Sequence, residues 1–409
     1  MKPRGVLIRY FLLLPMALGL SVVFMYASSD KGSLFPHRGR FYACNSLSVS
    51  SDTLTLVFVG DLMQHQAQIT AAHKGQDTYS YEECFKYVAP ELRKADLAIG
   101  NLEVTLGGKP YRGYPSFSAP DSFLKALQSV GFDVLLFANN HCLDRGNRGA
   151  VRTLNKMDSL KMIHTGVFRN PEEHLNTYPL LVERKGIRIA FLNYTYDTNG
   201  LRPASPLVVN YIDKEQIRKD VVKARLMRPD VIIACMHWGI EYELLPRRGE
   251  RELAKFLLGL GVDHVIGSHP HVVQPVEVLE DESSPSSHLV AYSLGNFISN
   301  MSAKHTDGGM MLRMVLKKVQ NRTRMVDCGY SYVWMSRPSF NQKGQFYVYP
   351  SVVDDNRLNI NEKERKDVYL RGARPVVERY SKGIKEYFFL KITEKCLQIK
   401  KKSIPLHRF

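Results

Sequence analysis

Between Leu54 and Phe297 the chain alternates short, continuously apolar runs with longer stretches of helical spacing. The runs are LTLVFVGD (54–61), ADLAIGNLE (95–103), FDVLLFANNH (132–141), RIAFLNYT (188–195), DVIIACMHWG (230–239), DHVIGSHPH (263–271) and LVAYSLGNF (289–297). Runs this short, apolar at odd and even positions alike, predict strands buried on both faces. PDSFLKALQSVG (120–131) and RGERELAKFLLGLG (248–261) repeat apolar residues at helical spacing and stop at glycine. KEQIRKDVVKARLM (214–227) reads the same way. Strand alternating with helix predicts a layered α/β domain with a mainly parallel or mixed sheet.

Each apolar run ends on a polar side chain. Asp61, Glu103, Asn140, His141, His237, His269 and His271 all stand at strand ends. In open α/β sheets ligands bind outside the carboxyl ends of the strands. Taken singly, Asp61 suits a helix cap and Asn139-Asn140 a tight turn. Convergence of all of them on one sheet edge argues for a site. Asp, Glu, Asn and His without cysteine suit a hard or borderline divalent ion, Mn, Fe, Zn or Mg. A carboxylate between ions with imidazoles beyond it is the arrangement of two-metal hydrolases. Pro270 stiffens the loop between His269 and His271 and restricts the residue before it.

Past Phe297 the pattern changes. GGMMLRMVLKKV (308–319), YSYVWM (330–335) and GQFYVYPS (344–351) read as strands that complete or extend the sheet. The stretch from Asp354 onward is basic and helical in part. The expected organisation is an N-terminal signal or anchor segment (1–30), a main domain (52–300) and a basic C-terminal extension (301–409).

Composition changes this picture at the two ends. Of a net charge of +16, residues 301–409 carry +13, from 23 Lys and Arg against 10 Asp and Glu. Such a surface suits an anionic polymer or a lipid headgroup layer; no nucleic-acid partner is expected. At the other end Lys2, Arg4 and Arg9 precede the uncharged run Tyr10 to Tyr26. A basic flank before an apolar core is an export signal and keeps the flank inside. Ala27 and Ser29 allow cleavage, but no strong cleavage pattern stands out, so the reading leans to an uncleaved anchor. The main domain is then expected outside the cytoplasm, or periplasmic or secreted if the segment is cleaved. Six cysteines, at 44, 84, 142, 235, 328 and 396, lack CxxC spacing. Cys142 and Cys235 lie in apolar segments and read as buried thiols.

Six motifs, GDLMQH, GNLE, ANNHCLDRG, HWGIEY, GSHPHVVQ and YSLGNF, follow one another in the order seen in the capsule biosynthesis protein CapA family. The region from Leu54 to Phe297 resembles that family, the poly-γ-glutamate synthesis proteins of PgsA/CapA type, within the calcineurin-like metallophosphatase superfamily. YVWMSRP and YVYP resemble its C-terminal segment. The resemblance implies a four-layer α-β-β-α sandwich with one or two divalent ions at the sheet edge. By motif position Asp61 resembles the first ligand and Glu103 the bridging carboxylate. Asn140 resembles the amide ligand, His237 and His271 the late imidazoles, and His269 a further member of that set. His141 resembles the general acid, with Asp144 placed to orient it, and Tyr292 and Asn296 are implied to line the cleft. The sequence departs from the superfamily at Met63, where a histidine is typical; His65 or Gln64 are the candidates to compensate. The implied role is an exported, membrane-associated protein handling an anionic capsule polymer or a phosphoester, alone or in a capsule synthesis complex. Two alternatives stand beside it, a non-enzymatic polymer-binding or assembly component and an exported phosphomonoesterase or phosphodiesterase.

Overall fold

Residue parity along the strands sorts the apolar side chains into three layers of packing. In β1 (Thr53–Leu62) Leu54, Leu56 and Phe58 face one way and Val57 and Val59 the other. β2 (Leu97–Leu102) divides likewise into Leu97 and Ile99 against Ala98 and Leu102. The first face of each meets Ile189 and Phe191 of β4 (Ile187–Thr195) and Ile233 and Cys235 of β5 (Val231–His237). Two sheets therefore share one apolar core. Outside the first sheet Val57, Ala98 and Leu135 pack on Leu124, Leu127 and Leu154 of two helices. Outside the second, Leu192, Ile232 and Ala234 pack on Ile217, Val221 and Leu257 of two more. The order of layers is helix, sheet, sheet, helix.

This is a computed structural model, and it describes residues 42–43, 53–280, 287–320 and 322–388. The apolar run 10–26 lies outside them. Among the described residues no helix is long and apolar enough to cross a membrane.

In the first sheet β1, β2, β3 (Val134–Leu136) and Ile163–Thr165 run parallel. On its other side β1 pairs antiparallel with Gly308–Val319, which pairs in turn with Arg322–Ser336 and then Tyr347–Pro350. In the second sheet β4, β5, β6 (His264–Ser268) and Ser287–Ala291 are parallel. The C-terminal segment thus supplies the strand beside β1, the first strand of the site. Its helix Ile360–Tyr380 packs Tyr369, Ala373 and Val377 against the core between the sheets.

Parallel strands aim their carboxyl ends the same way. Those of β1, β2 and β3 meet those of β5 and β6 at one edge of the sandwich.

Candidate metal centre and its acid–base pair

The register of β1 breaks just before its polar end. Val59 pairs with Gly100, but Asp61 pairs with Asn101, so Gly60 is an extra residue in the ladder. The bulge re-aims the strand end. Asp61, odd-numbered like the outward-facing Val57 and Val59, turns instead toward the side carrying Asn101 and Glu103. Only glycine fits at the bulge, because a Cβ on residue 60 would stand 1.8 Å from the Gly295 carbonyl oxygen. That carbonyl accepts the Asp61 amide at 3.0 Å. The short strand β7 (Asn296–Ile298) follows and pairs Asn296 with Asp61.

On β2 the inward parity of Leu97 and Ile99 continues through Asn101 to Glu103. Asn101 Nδ2 donates to Asp61 Oδ1 at 2.8 Å and to Glu103 Oε2 at 3.2 Å, and lies 3.3 Å from His237 Nδ1. His237, last residue of β5, places Nε2 2.9 Å from Asn140 Oδ1 and 3.5 Å from Glu103 Oε1. His271 Nδ1 lies 3.0 Å from both Asp61 Oδ2 and Asn296 Oδ1, and its Nε2 is 3.8 Å from Glu103 Oε1. The His269 ring is centred 4.8 Å from that of His237 and 5.8 Å from that of His271. His269 and His271 both take positive φ, 101° and 60°. Such backbone costs about 1–3 kcal/mol per residue and persists where surrounding structure enforces it. Pro270 between them accepts the Tyr242 amide at 2.8 Å, which ties the strained turn to the loop after β5.

Two donor triads emerge, Asp61–Glu103–His237 and Glu103–His269–His271, each with ligand atoms within 4.8 Å of one another. Glu103 belongs to both. All five residues are buried. Among the described residues Glu103 Oε1 and His269 Nδ1 have no hydrogen-bond partner. A buried polar atom left unpaired costs about 1–3 kcal/mol, more when charged. A divalent cation between them would satisfy both atoms, so the residues fit a metal. The nearby thiols do not compete: burial pushes Cys142 up to about 12 and raises Cys235 further, keeping both protonated.

The electrostatics of the metal-free site point the same way. Burial, reinforced by the charge on Asp61, raises the Glu103 carboxyl well above the usual range. Burial works to raise Asp61 too, but the hydrogen bond and charge of His271, with the hydrogen bond from Asn101, outweigh it and hold Asp61 low. Burial would lower His271, yet Asp61 keeps it high. His237 and His269 are pushed down by burial and by neighbouring imidazoles, His269 to about 3, which leaves them neutral with lone pairs to offer.

Beside the triads stands an acid–base pair. His141 Nδ1 lies 2.8 Å from Asp144 Oδ2, which also accepts the Phe117 amide at 2.8 Å. Phe117 backs the imidazole edge-on at 4.6 Å. With Nδ1 engaged, Nε2 is the nitrogen left for proton exchange. His141, Asp144 and Asn140 line a cavity of about 600 Å³ with Tyr114, Asn199 and Glu241.

The six candidate ligands therefore meet at one edge, and His141 with Asp144 adjoins them. Of the two candidates to compensate for Met63, His65 belongs to neither donor triad, and Gln64 is buried with Oε1 lacking a hydrogen bond among the described residues. Met63 is buried in the outer core. His65 accepts the Asn300 amide at Nδ1 and begins the helix Gln66–Ala72, and Gln64 donates to the Met63 carbonyl. Tyr292 does not line the cleft: it stacks on Trp238 in the outer layer of the second sheet. Asn296 does reach the site. Three residues without a predicted role brace it. Asn101 links both sheets, and Asn139 donates to Asn101 Oδ1 (3.2 Å) and the Leu102 carbonyl (2.8 Å). Asn193 accepts the Ala138 amide at 2.9 Å and donates to the Cys235 carbonyl at 3.1 Å.

Comparison with known proteins fits this geometry into a family. The chain is 26% identical over 330 residues to the PGA biosynthesis protein CapA of Bacillus subtilis (strain 168), covering 75% of this chain and 77% of that one. It is 26% identical over 321 residues to the capsule biosynthesis protein CapA of Bacillus anthracis, covering 75% and 72%. Among solved structures it matches the calcineurin-like phosphoesterase YfkN from Bacillus subtilis, with a TM-score of 0.40 and 12% identity over 80% of this chain and 98% of that one. The model of the bacterial capsule synthesis protein PGA_cap family matches residues 55–301, and the chain belongs to that family.

Proposed function

We propose that this protein is a metal-dependent phosphoester hydrolase that serves the synthesis of an anionic capsule polymer outside the cytoplasm. The observation that carries the reading is Glu103, a buried carboxylate shared by two donor triads, one of whose oxygens has no hydrogen bond among the described residues. One or two divalent ions, if held there, would supply Lewis-acid polarisation of a phosphoryl oxygen and activation of water at neutral pH. Asp61, Glu103, Asn140, His237, His269 and His271 would hold them.

The chain's own groups do the rest. The cavity beside His141 admits the ester, and His141 Nε2 delivers a proton to the departing oxygen. Asp144 keeps Nδ1 occupied and the ring aimed, and Phe117 limits its rotation. Asn101 fixes the two carboxylates and His237 relative to one another, so the donors need little rearrangement. Export rests on the basic flank and the uncharged run Tyr10 to Tyr26. The family and the names of the two CapA relatives support the link to a capsule.

The test is a phosphomonoester and phosphodiester screen on the full chain, supplied in turn with Mn, Zn, Fe and Mg. Turnover abolished by chelator and restored by one of these metals is the expected result. Absence of turnover with every metal, from protein that binds capsule polymer, would replace the hydrolase by a polymer-binding component.

A further inference from the structure

A second cavity, of about 690 Å³, is lined in part by residues that follow His141 and Asp144 in the chain. The segment 144–147 contributes to it and to the first cavity, beside His141: Asp144 lines the first, Arg145 and Asn147 the second. Asn147 also latches the loop on the far side, donating to the Ala204 carbonyl and accepting the Ala204 amide at 3.1 Å. The second cavity is lined by five cations, Lys109, Arg145, Arg148, Arg152 and Arg169, and by no carboxylate.

Three of those cations are neutralised from behind. Arg152 makes a two-pronged contact with Asp121, at 2.7 and 3.0 Å. Arg169 pairs with Asp158 and Glu173, and Lys109 with Asp77. Among the described residues neither Arg145 nor Arg148 forms such a pair, although Arg145 stands near enough to Asp144 to act on its charge. The Arg145 guanidinium reaches only the Pro110 carbonyl, at 3.4 Å, and Arg148 is exposed. The helix Gly146–Ser159, on which Arg148 sits, has no acidic residue in its first turn.

The position of Arg145 is built in. A Cβ at Gly107 would stand 2.5 Å from its Cγ, and one at Gly149 2.2 Å from its Cβ. Two glycines thus make the slot that holds its stem. A guanidinium whose stem is held in place, facing a roomy cavity and joined to no carboxylate by an ion pair among the described residues, is arranged for an oxyanion from outside.

We infer that this cavity is a second, anion-binding subsite, and that the natural ligand is a polyanionic chain spanning both cavities with repeated carboxylate or phosphate groups. One such group meets Arg145 and Arg148 while another part of the chain lies at the metal edge. The inference rests on the polymer reading above, but it concerns binding and does not need turnover.

The test is fluorescence anisotropy on the full chain, with labelled oligoglutamate and labelled linear polyphosphate of equal charge. Free glutamate and inorganic phosphate serve as competitors. At least one chain should bind, its monomer should compete poorly, and Arg148→Glu should weaken binding about tenfold or more. Lys255→Glu, an exposed reversal elsewhere on the surface, should leave it as it was. Preference between the two chains assigns the oxyanion. Equal weakening by both reversals would reduce the effect to net charge and overturn the subsite. So would a monomer that competes as well as its chain, or undiminished binding in Arg148→Glu. If the chain binds as expected and no ester is hydrolysed, the subsite stands and the hydrolase falls.

Discussion

His237 Nε2 lies 2.9 Å from Asn140 Oδ1, and the two residues belong to different sheets. Asn140 follows β3 of the first sheet and His237 ends β5 of the second. The site is therefore a product of how the two sheets face each other, and whatever fixes that spacing fixes the site.

Asn193 is one such fixture. Its side chain joins the Ala138 amide in the loop carrying Asn140 to the Cys235 carbonyl two residues before His237. Asn193→Ala takes the acceptor from the buried Ala138 amide, at about 1–3 kcal/mol, and removes a second donor from the Cys235 carbonyl. The variant should melt several degrees lower and bind metal more weakly than wild type. Thermal denaturation with and without added metal checks both, and an unchanged melting curve would remove Asn193 from this role.

Gly60→Ala tests the bulge. The added methyl meets the Gly295 carbonyl oxygen at 1.8 Å, a backbone contact no rotamer relieves. The strand must shift, at a cost of about 1–3 kcal/mol or more, and Asp61 shifts with it. Lower stability measured by denaturant titration is expected. A variant as stable as wild type would show that the bulge is not required.

His141→Asn separates proton delivery from metal holding. The variant should keep its metal and lose turnover by about 10²–10⁴-fold, and the loss should shrink on esters with good leaving groups. Metal content and leaving-group series together read the result. Loss of metal in the variant would make His141 a ligand.

Stability should fall with acidity through a histidine outside the site. His264 begins β6, and its Nδ1 accepts the Leu289 amide at 3.1 Å. Burial, with the nearby His288 second, pushes it from the usual 6.5 down to about 3. Between those two values the unfolded chain holds a proton that the native chain does not. Stability thus falls as pH drops through this window, by up to ~1.4 kcal/mol per pH unit, and is unaffected by this group above it. His264→Asn, which keeps an acceptor but takes no proton, should flatten the melting-temperature profile between about pH 6.5 and 4. An equally steep profile in the variant would place the acid sensitivity elsewhere.

Much of this arrangement was legible in the sequence because buried strands announce themselves as apolar runs, and a polar residue at the end of such a run has few other uses. His141 was legible through the resemblance of ANNHCLDRG to a family motif, and Asp144 through its place three residues on, which a single turn closes. The amide braces were not. Asn101 and Asn193 sit inside strands, where local chemistry marks asparagine as a turn former, and their value depends on partners from the other sheet. Tyr292 was misplaced for a related reason: it follows the strand Ser287–Ala291 of the second sheet, whereas Asn296 four residues on pairs with β1 of the first. The pairing of Gly308–Val319 beside β1 joins residues some 250 apart in the chain, which local patterning does not encode.

Glu103, shared by two donor triads, should hold divalent metal between them. Elemental analysis of the purified full chain after extensive desalting, with Glu103→Gln beside it, measures this. Circular dichroism confirms that the variant is folded. Wild type should retain divalent metal, and folded Glu103→Gln, similar in shape but without the charge, should lose most of it. Wild type that takes up no divalent metal, or a folded variant that holds as much as wild type, would contradict the account.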